Sequence, residues 1–253
     1  TFCQPIPVIV IARLLGVPDE MAPQLLRWSN AMVAMYQASR TRATEDAAAY
    51  AARDFSDFLR RYVETRRDDP RADLITHLIA SEEQGEKLST DELITTCILL
   101  LNAGHEATVH TLGNGIKTLL ETETREIDDL TVEEILRYDP PLHVFTRYAY
   151  EDVTLFGFDF KRGQQVALML ASANRDPAAW ANPEEFDPTR PVKTNTSFGG
   201  GIHFCIGAPL ARLEMQIALR VLFERRPRLA LAGTPEYADV YHFHGLEALN
   251  VTY

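Results

Sequence analysis

Cys205 lies within Phe198-Gly199-Gly200-Gly201-Ile202-His203-Phe204-Cys205-Ile206-Gly207-Ala208-Pro209, a single thiol in a glycine-rich loop at the entrance to a helix. A helix N-terminus carries partial positive charge and unpaired amides, which stabilise a thiolate. Gly199, Gly201 and Gly207 let the backbone pass close to a bulky group or adopt positive φ. A lone thiolate among N–H donors suits an iron that needs one strong axial ligand. Two plainer readings stand beside this one. Cys205 is a structural thiol in a turn, or Cys205 and His203 form half of a zinc site. Zinc usually takes three or four ligands, and no second Cys/His cluster lies nearby in sequence.

Three other groups have spacing that could do chemistry. Glu134 and Arg137 stand three residues apart on one helix face, ordinarily a surface pair worth about 0.2–0.5 kcal/mol. Arg147 follows Val144-Phe145-Thr146 and reads, on its own, as a strand-edge arginine. The run Leu101-Asn102-Ala103-Gly104-His105-Glu106-Ala107-Thr108 sits inside a long helical pattern. A mid-helix glycine costs roughly 1 kcal/mol relative to alanine, so Gly104 implies a packing or functional reason. Glu106 reads otherwise as a solvated helix residue, His105 and His110 as packing or surface histidines, and Cys97 as a core thiol.

The cysteine segment resembles the heme-binding signature of the cytochrome P-450 family, with Phe198, Gly199, Gly201, His203, Cys205 and Gly207 at its characteristic positions. The resemblance implies heme b (iron protoporphyrin IX), held by Cys205 as proximal ligand, with His203 reaching a propionate. It makes Glu134 and Arg137 the family's Glu-x-x-Arg motif, completed by Arg190 in a buried triad. Bidentate pairing would offset the desolvation of such a cluster. It gives Arg147 a second propionate. Ala103 and Gly104 then belong to the oxygen-binding helix, where small residues leave room, and Glu106 is its acid. The hydroxyl residue that usually follows the acid is replaced by Ala107, with Thr108 one place later. Successive helix positions point about 100° apart, so Thr108 is not a simple substitute. Leu142, His143, Val144, Phe145, Phe243 and His244 are implied around a substrate pocket.

The elements that must position these residues are mostly helical. Helices are expected over Asp19–Ala38, Ala47–Arg67, a shorter stretch marked by Leu74, Leu78 and Ile79 that ends near Gly85, and Ser89 to about Leu120. The last opens on a capping box, with Ser89 as N-cap and Glu92 three residues on. Thr131–Tyr138 reads as a short helix stopped by Pro140-Pro141. Val153–Phe160 and Gln165–Leu170 read as a strand pair around Lys161-Arg162-Gly163-Gln164. A helix from about Pro209 to Glu224 carries an apolar stripe of Leu210, Leu213, Ile217 and Val221. The expected fold class is mainly α with small β-sheets, in the cytochrome P-450 fold. A long central helix and a cysteine-ligand loop mark it, in a single heme domain over 1–253.

Whole-chain quantities narrow the partners. The 253 residues carry a formal charge of -11, which disfavours nucleic acid, because phosphate backbones are bound by clustered cations. The apolar stretches Val8–Leu15 and Ile98–Leu101 are too short for a bilayer, and no signal peptide is expected from the opening Thr1-Phe2-Cys3. Three widely spaced cysteines argue against a disulfide framework and fit a reducing cytoplasm. The expected activity is monooxygenation of a small-molecule substrate, using electrons from a ferredoxin or flavoprotein, since no flavin or nicotinamide fingerprint is present. The alternatives are a peroxide-driven peroxygenase and a non-catalytic heme-binding protein. Relative to the family, the resemblance also implies that an N-terminal portion is absent from these residues.

Overall fold

The structure, a computed structural model, describes residues 2–37, 40–83, 88–191, 193–240 and 242–253. It forms two units, Thr1–Val109 and His110–Tyr253.

The first unit is helical. α1 (Pro5–Leu15) opens on proline, whose fixed φ suits a first turn, and ends at Gly16 in the left-handed conformation. Sequence reading passes over this helix, taking Val8–Leu15 only as an apolar stretch. α2 covers Ala22–Val33, shorter than the expected Asp19–Ala38, with 3-10 turns at Asp19–Met21 and Ala34–Tyr36. The expected end at Ala38 lies outside the described residues. α3 runs Arg42–Asp68, five residues earlier than expected. Thr41 caps it by accepting the Thr44 N–H at 3.2 Å, a polar start that apolar periodicity does not reveal. α4 spans Leu74–Glu83; the loop expected at Gly85 lies outside the described residues. Phe55, Leu59, Val63, Leu15, Leu25 and Ile75 form a fully buried core, with Trp28 stacked on Phe55 at 5.0 Å.

α5 (Thr90–Glu121) begins in the first unit and continues into the second. Its capping box is formed: Ser89 N–H donates to Glu92 Oε2 at 2.8 Å, and Glu92 N–H to Ser89 Oγ at 3.3 Å.

The second unit adds α6 (Asp129–Tyr138), β1 (Val144–Tyr148), β2 (Val153–Leu155), β3 (Phe158–Phe160), β4 (Gln165–Met169), α7 (Leu170–Ala173), α8 (Ala208–Arg225) and the short strands β5 (Ala230–Leu231), β6 (Glu236–Tyr237), β7 (Leu246–Ala248) and β8 (Val251–Thr252). α6 starts two residues before the expected Thr131 because Asp128 caps it, accepting the Thr131 N–H at 2.8 Å. The strand pairing differs from expectation. Val153–Phe160 folds on itself, β2 against β3, through Phe156 and Gly157 at positive φ, while β4 pairs antiparallel with β1. A two-residue turn with both φ positive follows the right-handed strand twist, and that pulls the hairpin closed early. α8 has its expected length but buries another face: Met215, Ala218, Leu219 and Phe223 are inside, while Leu213 and Ile217 are exposed. Among the described residues no helix is long and apolar enough to cross a membrane.

Candidate functional site

Cys205 is exposed and in no disulfide. Its loop closes through Cys205 N–H donating to the Phe198 carbonyl at 3.0 Å and Gly199 N–H to the Thr196 carbonyl at 2.8 Å. Gly199 and Gly201 sit at φ +68° and +64°, where a side chain would be strained, so both glycines serve the turn as expected. Gly207 differs: its φ is -81°, and a Cβ there would lie 3.8 Å from Cys205 Sγ, an ordinary contact. His203 ends a 3-10 turn from Gly201 and is exposed. Around the thiol, Ile202 is 96% exposed, Ile206 90% and Phe204 47%, a concentration of apolar surface beside one sulfur. Phe198 stands 6.3 Å from Phe204, and the Arg212 guanidinium lies over the Phe198 ring at 4.6 Å.

The root of this loop is anchored by groups that sequence reading did not single out. Asn174 is fully buried, and its amide bonds both ways. Its oxygen accepts from Thr196 N–H at 2.7 Å and Thr196 Oγ1 at 2.9 Å, and its nitrogen donates to Ser197 Oγ at 2.8 Å. Ser197 then donates to the Leu136 carbonyl of α6 at 2.6 Å. α6 is itself locked by the acid–base cluster. Glu134 accepts Arg137 through both oxygens at 2.7 Å, the Asp187 N–H at 2.9 Å and Arg190 Nε at 3.1 Å. Arg137 also reaches the carbonyls of Asn174, Pro183 and Glu185. With Glu134 4% and Arg137 1% exposed, the pair is a buried network and not a surface contact. The Arg137 nitrogens and both Glu134 oxygens are bonded, several of them to residues 174–190, which is what a desolvated ion cluster requires. Arg212 bonds Glu133 of α6 through Nε and, at 3.2 Å, through Nη2, so it is committed within the unit.

Arg147 lies on β1, half-buried, with Nη1 on its neighbour's carbonyl (Thr146) at 2.9 Å and its guanidinium over Phe145. On α5, Ala103 is exposed, and Gly104 has a packing reason: a Cβ there would come within 3.0 Å of Ile11 Cδ1. Glu106 faces His105 Nδ1 at 3.3 Å, and Thr108 is buried with its hydroxyl donated to the Gly104 carbonyl at 3.0 Å. Such bonding four residues back is the usual fate of a helical threonine. α5 is continuous α-helix through these positions. Cys97 is a fully buried thiol, pushed up to about 12 by burial, in line with a core role.

The family model described as cytochrome P-450 matches residues 11–126 and 125–225. The chain belongs to the cytochrome P-450 family. It is 39% identical over 264 residues to "Polyketide biosynthesis cytochrome P-450 PksS" of Bacillus subtilis (strain 168), covering 100% of this chain and 64% of that protein. It is 38% identical over 261 residues to "Biotin biosynthesis cytochrome P-450" of the same organism, covering 100% and 66%. Among solved structures, P-450 BioI in complex with hexadec-9Z-enoic acid ligated acyl carrier protein matches with TM-score 0.92 and 36% identity, over 100% of this chain and 67% of that one. CalO2 matches with TM-score 0.94 and 27% identity. The chain therefore spans about two thirds of the length of these P-450 relatives. Cytochromes P-450 bind heme, and the residues present fit that group. Cys205 offers a single soft donor with no partner sulfur, and the exposed Ile202, Phe204 and Ile206 offer the apolar surface that a flat macrocycle covers.

Proposed function

We propose that this chain is the heme-bearing part of a monooxygenase that inserts one oxygen atom from O2 into a small organic substrate, with electrons from a ferredoxin or flavoprotein. The observation that carries the reading is the unpaired, exposed Cys205 thiol in an apolar rim, on a loop pinned by the Asn174 and Glu134 networks. Thiolate-held heme supplies the oxidising chemistry when bound. The protein's part is to bind, orient and manage protons. Cys205 would hold the metal as thiolate. Phe198, Gly199 and Gly201 shape the loop that would present it. His203 and Arg147 would hold the propionates by charge-assisted hydrogen bonds. Ala103 and Gly104 keep α5 slim, and Glu106 and Thr108 serve proton delivery. The whole reads as one heme domain over 1–253 working in the cytoplasm.

The test is the carbon-monoxide difference spectrum of the reduced protein. A strongly red-shifted Soret band is expected in the parent and its loss in Cys205→Ser; an unchanged band in the variant overturns the ligand assignment.

One observation favours a peroxide-driven reading. Position 107 has no hydroxyl, and that of Thr108 is donated to the Gly104 carbonyl. Proton transfer needs a group within hydrogen-bond reach. Product formed with hydrogen peroxide alone, at a rate above that with O2 and a surrogate electron donor, decides for the peroxygenase.

A further inference from the structure

Asp139, His143 and His244 bring three ligand atoms within 4.8 Å of one another in the second unit, away from the cysteine loop in sequence. Asp139 and His143 flank the two prolines that end α6, and His244 precedes β7. The two imidazoles stack, with centroids 4.1 Å apart and planes 27° from parallel, so their edges lie side by side. His244 Nε2 stands 3.1 Å from Asp139 Oδ1. The second carboxylate oxygen accepts the Tyr237 hydroxyl at 2.5 Å, and the Tyr237 ring stacks on His244 at 4.0 Å.

Two features hold the ligand-bearing segments together before any ion arrives. The buried Asn114 donates through one nitrogen to the carbonyls of both Asp139, at 3.3 Å, and His244, at 3.0 Å. The His244 N–H donates to the Pro141 carbonyl at 2.7 Å. The Asp139 and His244 side chains thus stand on backbone that is already fixed, which lowers the ordering cost of binding. The His143 ring makes no hydrogen bond among the described residues, so its nitrogens are not engaged elsewhere. Of the nearby cations, Arg175 is paired with Glu184 and stacked on Tyr138, and Lys117, 5.6 Å over the Tyr237 ring, is paired with Glu121.

We infer that Asp139, His143 and His244 form a binding site for a borderline divalent cation of the zinc class, with Tyr237 orienting the carboxylate. Two imidazoles and a carboxylate are a donor set that zinc takes, leaving a fourth position for water. Tetrahedral bonds of 2.0–2.1 Å place donors about 3.4 Å apart, so the ligand atoms need only close in by rotation of side chains. The hydroxyl of Tyr237 on the carboxylate is the kind of outer contact that fixes a ligand's orientation. Bound there, the ion would cross-link the end of α6 to the strand segment near the C-terminus. The site rests on none of the residues assigned to heme.

The experiment is calorimetric titration of chelator-treated holoprotein with Zn2+, with metal content measured by mass spectrometry after desalting. One equivalent per chain is expected. His143→Ala and His244→Ala should each weaken binding by about 100-fold or more, and Tyr237→Phe, a milder change that keeps the ring stack, by about 10-fold. Cys205→Ser should keep the full equivalent, because the ion does not use the cysteine loop. No saturable binding in the folded parent overturns the proposal. So does binding lost in Cys205→Ser but retained in both histidine variants. The carbon-monoxide spectrum of each variant reports separately on heme, so failure of the functional reading and failure of this site are distinguishable.

Discussion

Glu134 is the residue on which the loop's support converges, since one carboxylate binds two guanidiniums and a backbone amide. Removing one partner of a buried ionic cluster leaves unpaired charge, typically at a cost of about 3–5 kcal/mol. Glu134→Ala is therefore expected to unfold at markedly lower denaturant than the parent and to lose heme on gel filtration. Parent-like melting with full heme would show the cluster to be dispensable. Asn174 acts one step closer to Cys205. Asn174→Ala leaves the Thr196 N–H and hydroxyl donors and the Ser197 Oγ acceptor without their amide partner, and unsatisfied buried groups cost about 1–3 kcal/mol each. Its carbonyl contact with Arg137 persists, so the loss should concentrate in heme retention more than in global stability, which paired heme-release and unfolding measurements would separate. The triad was legible because Glu134, Arg137 and Arg190 match a known motif. Asn174 was not, because nothing in its own neighbourhood of sequence signals that a distant loop will close on its amide.

At the scale of elements, α8 offers a titration that its periodicity hides. Glu214 faces the interior, one carboxylate oxygen has no hydrogen-bond partner among the described residues, and burial pushes its pKa up to about 7. Between pH 4.5 and 7 the unfolded chain ionises this group while the folded chain keeps it neutral, so stability falls as pH rises through that window. The shift corresponds to about 3 kcal/mol once both states are ionised. Glu214→Gln is expected to match the parent near pH 4.5 and to exceed it at pH 8. Equal pH dependence of unfolding in the two proteins would place the carboxylate in water. The apolar stripe Leu210, Leu213, Ile217 and Val221 is real in sequence, yet Leu213 and Ile217 are exposed while Met215 and Phe223 are buried. Local periodicity counts apolar residues without knowing which face meets a neighbour. The strand pairing was missed for a related reason. Phe156-Gly157 lacks the usual Asn-Gly signature of a tight hairpin, and the partner of β4 lies before it in the chain. The long α5, in contrast, announced its start through Ser89 and Glu92.

For the whole molecule under the proposed function, exposed cations on the α8 side of the second unit are where an acidic electron donor would be steered, against an overall charge of -11. Arg212 is held by Glu133, whereas Arg220, on the same helix, is exposed. Arg220→Glu should slow electron transfer from a ferredoxin several-fold at low salt, and the difference should vanish at about 1 M salt, where the screening length is about 3 Å. Rates that are equal at low salt would move the docking face elsewhere. The chain's tolerance of change is uneven in another way. A Cβ at Gly245 would come within 1.7 Å of His110 Nδ1, and the His110 ring is packed near Phe243. The constraint there is occupied space, since φ is not in the left-handed region. A library randomised at position 245 and selected for folding should therefore return glycine almost alone. Alanine should reappear only in clones where position 110 has also become small. The two positions would drift as a linked pair, so a change at one is readable as a record of what happened first at the other.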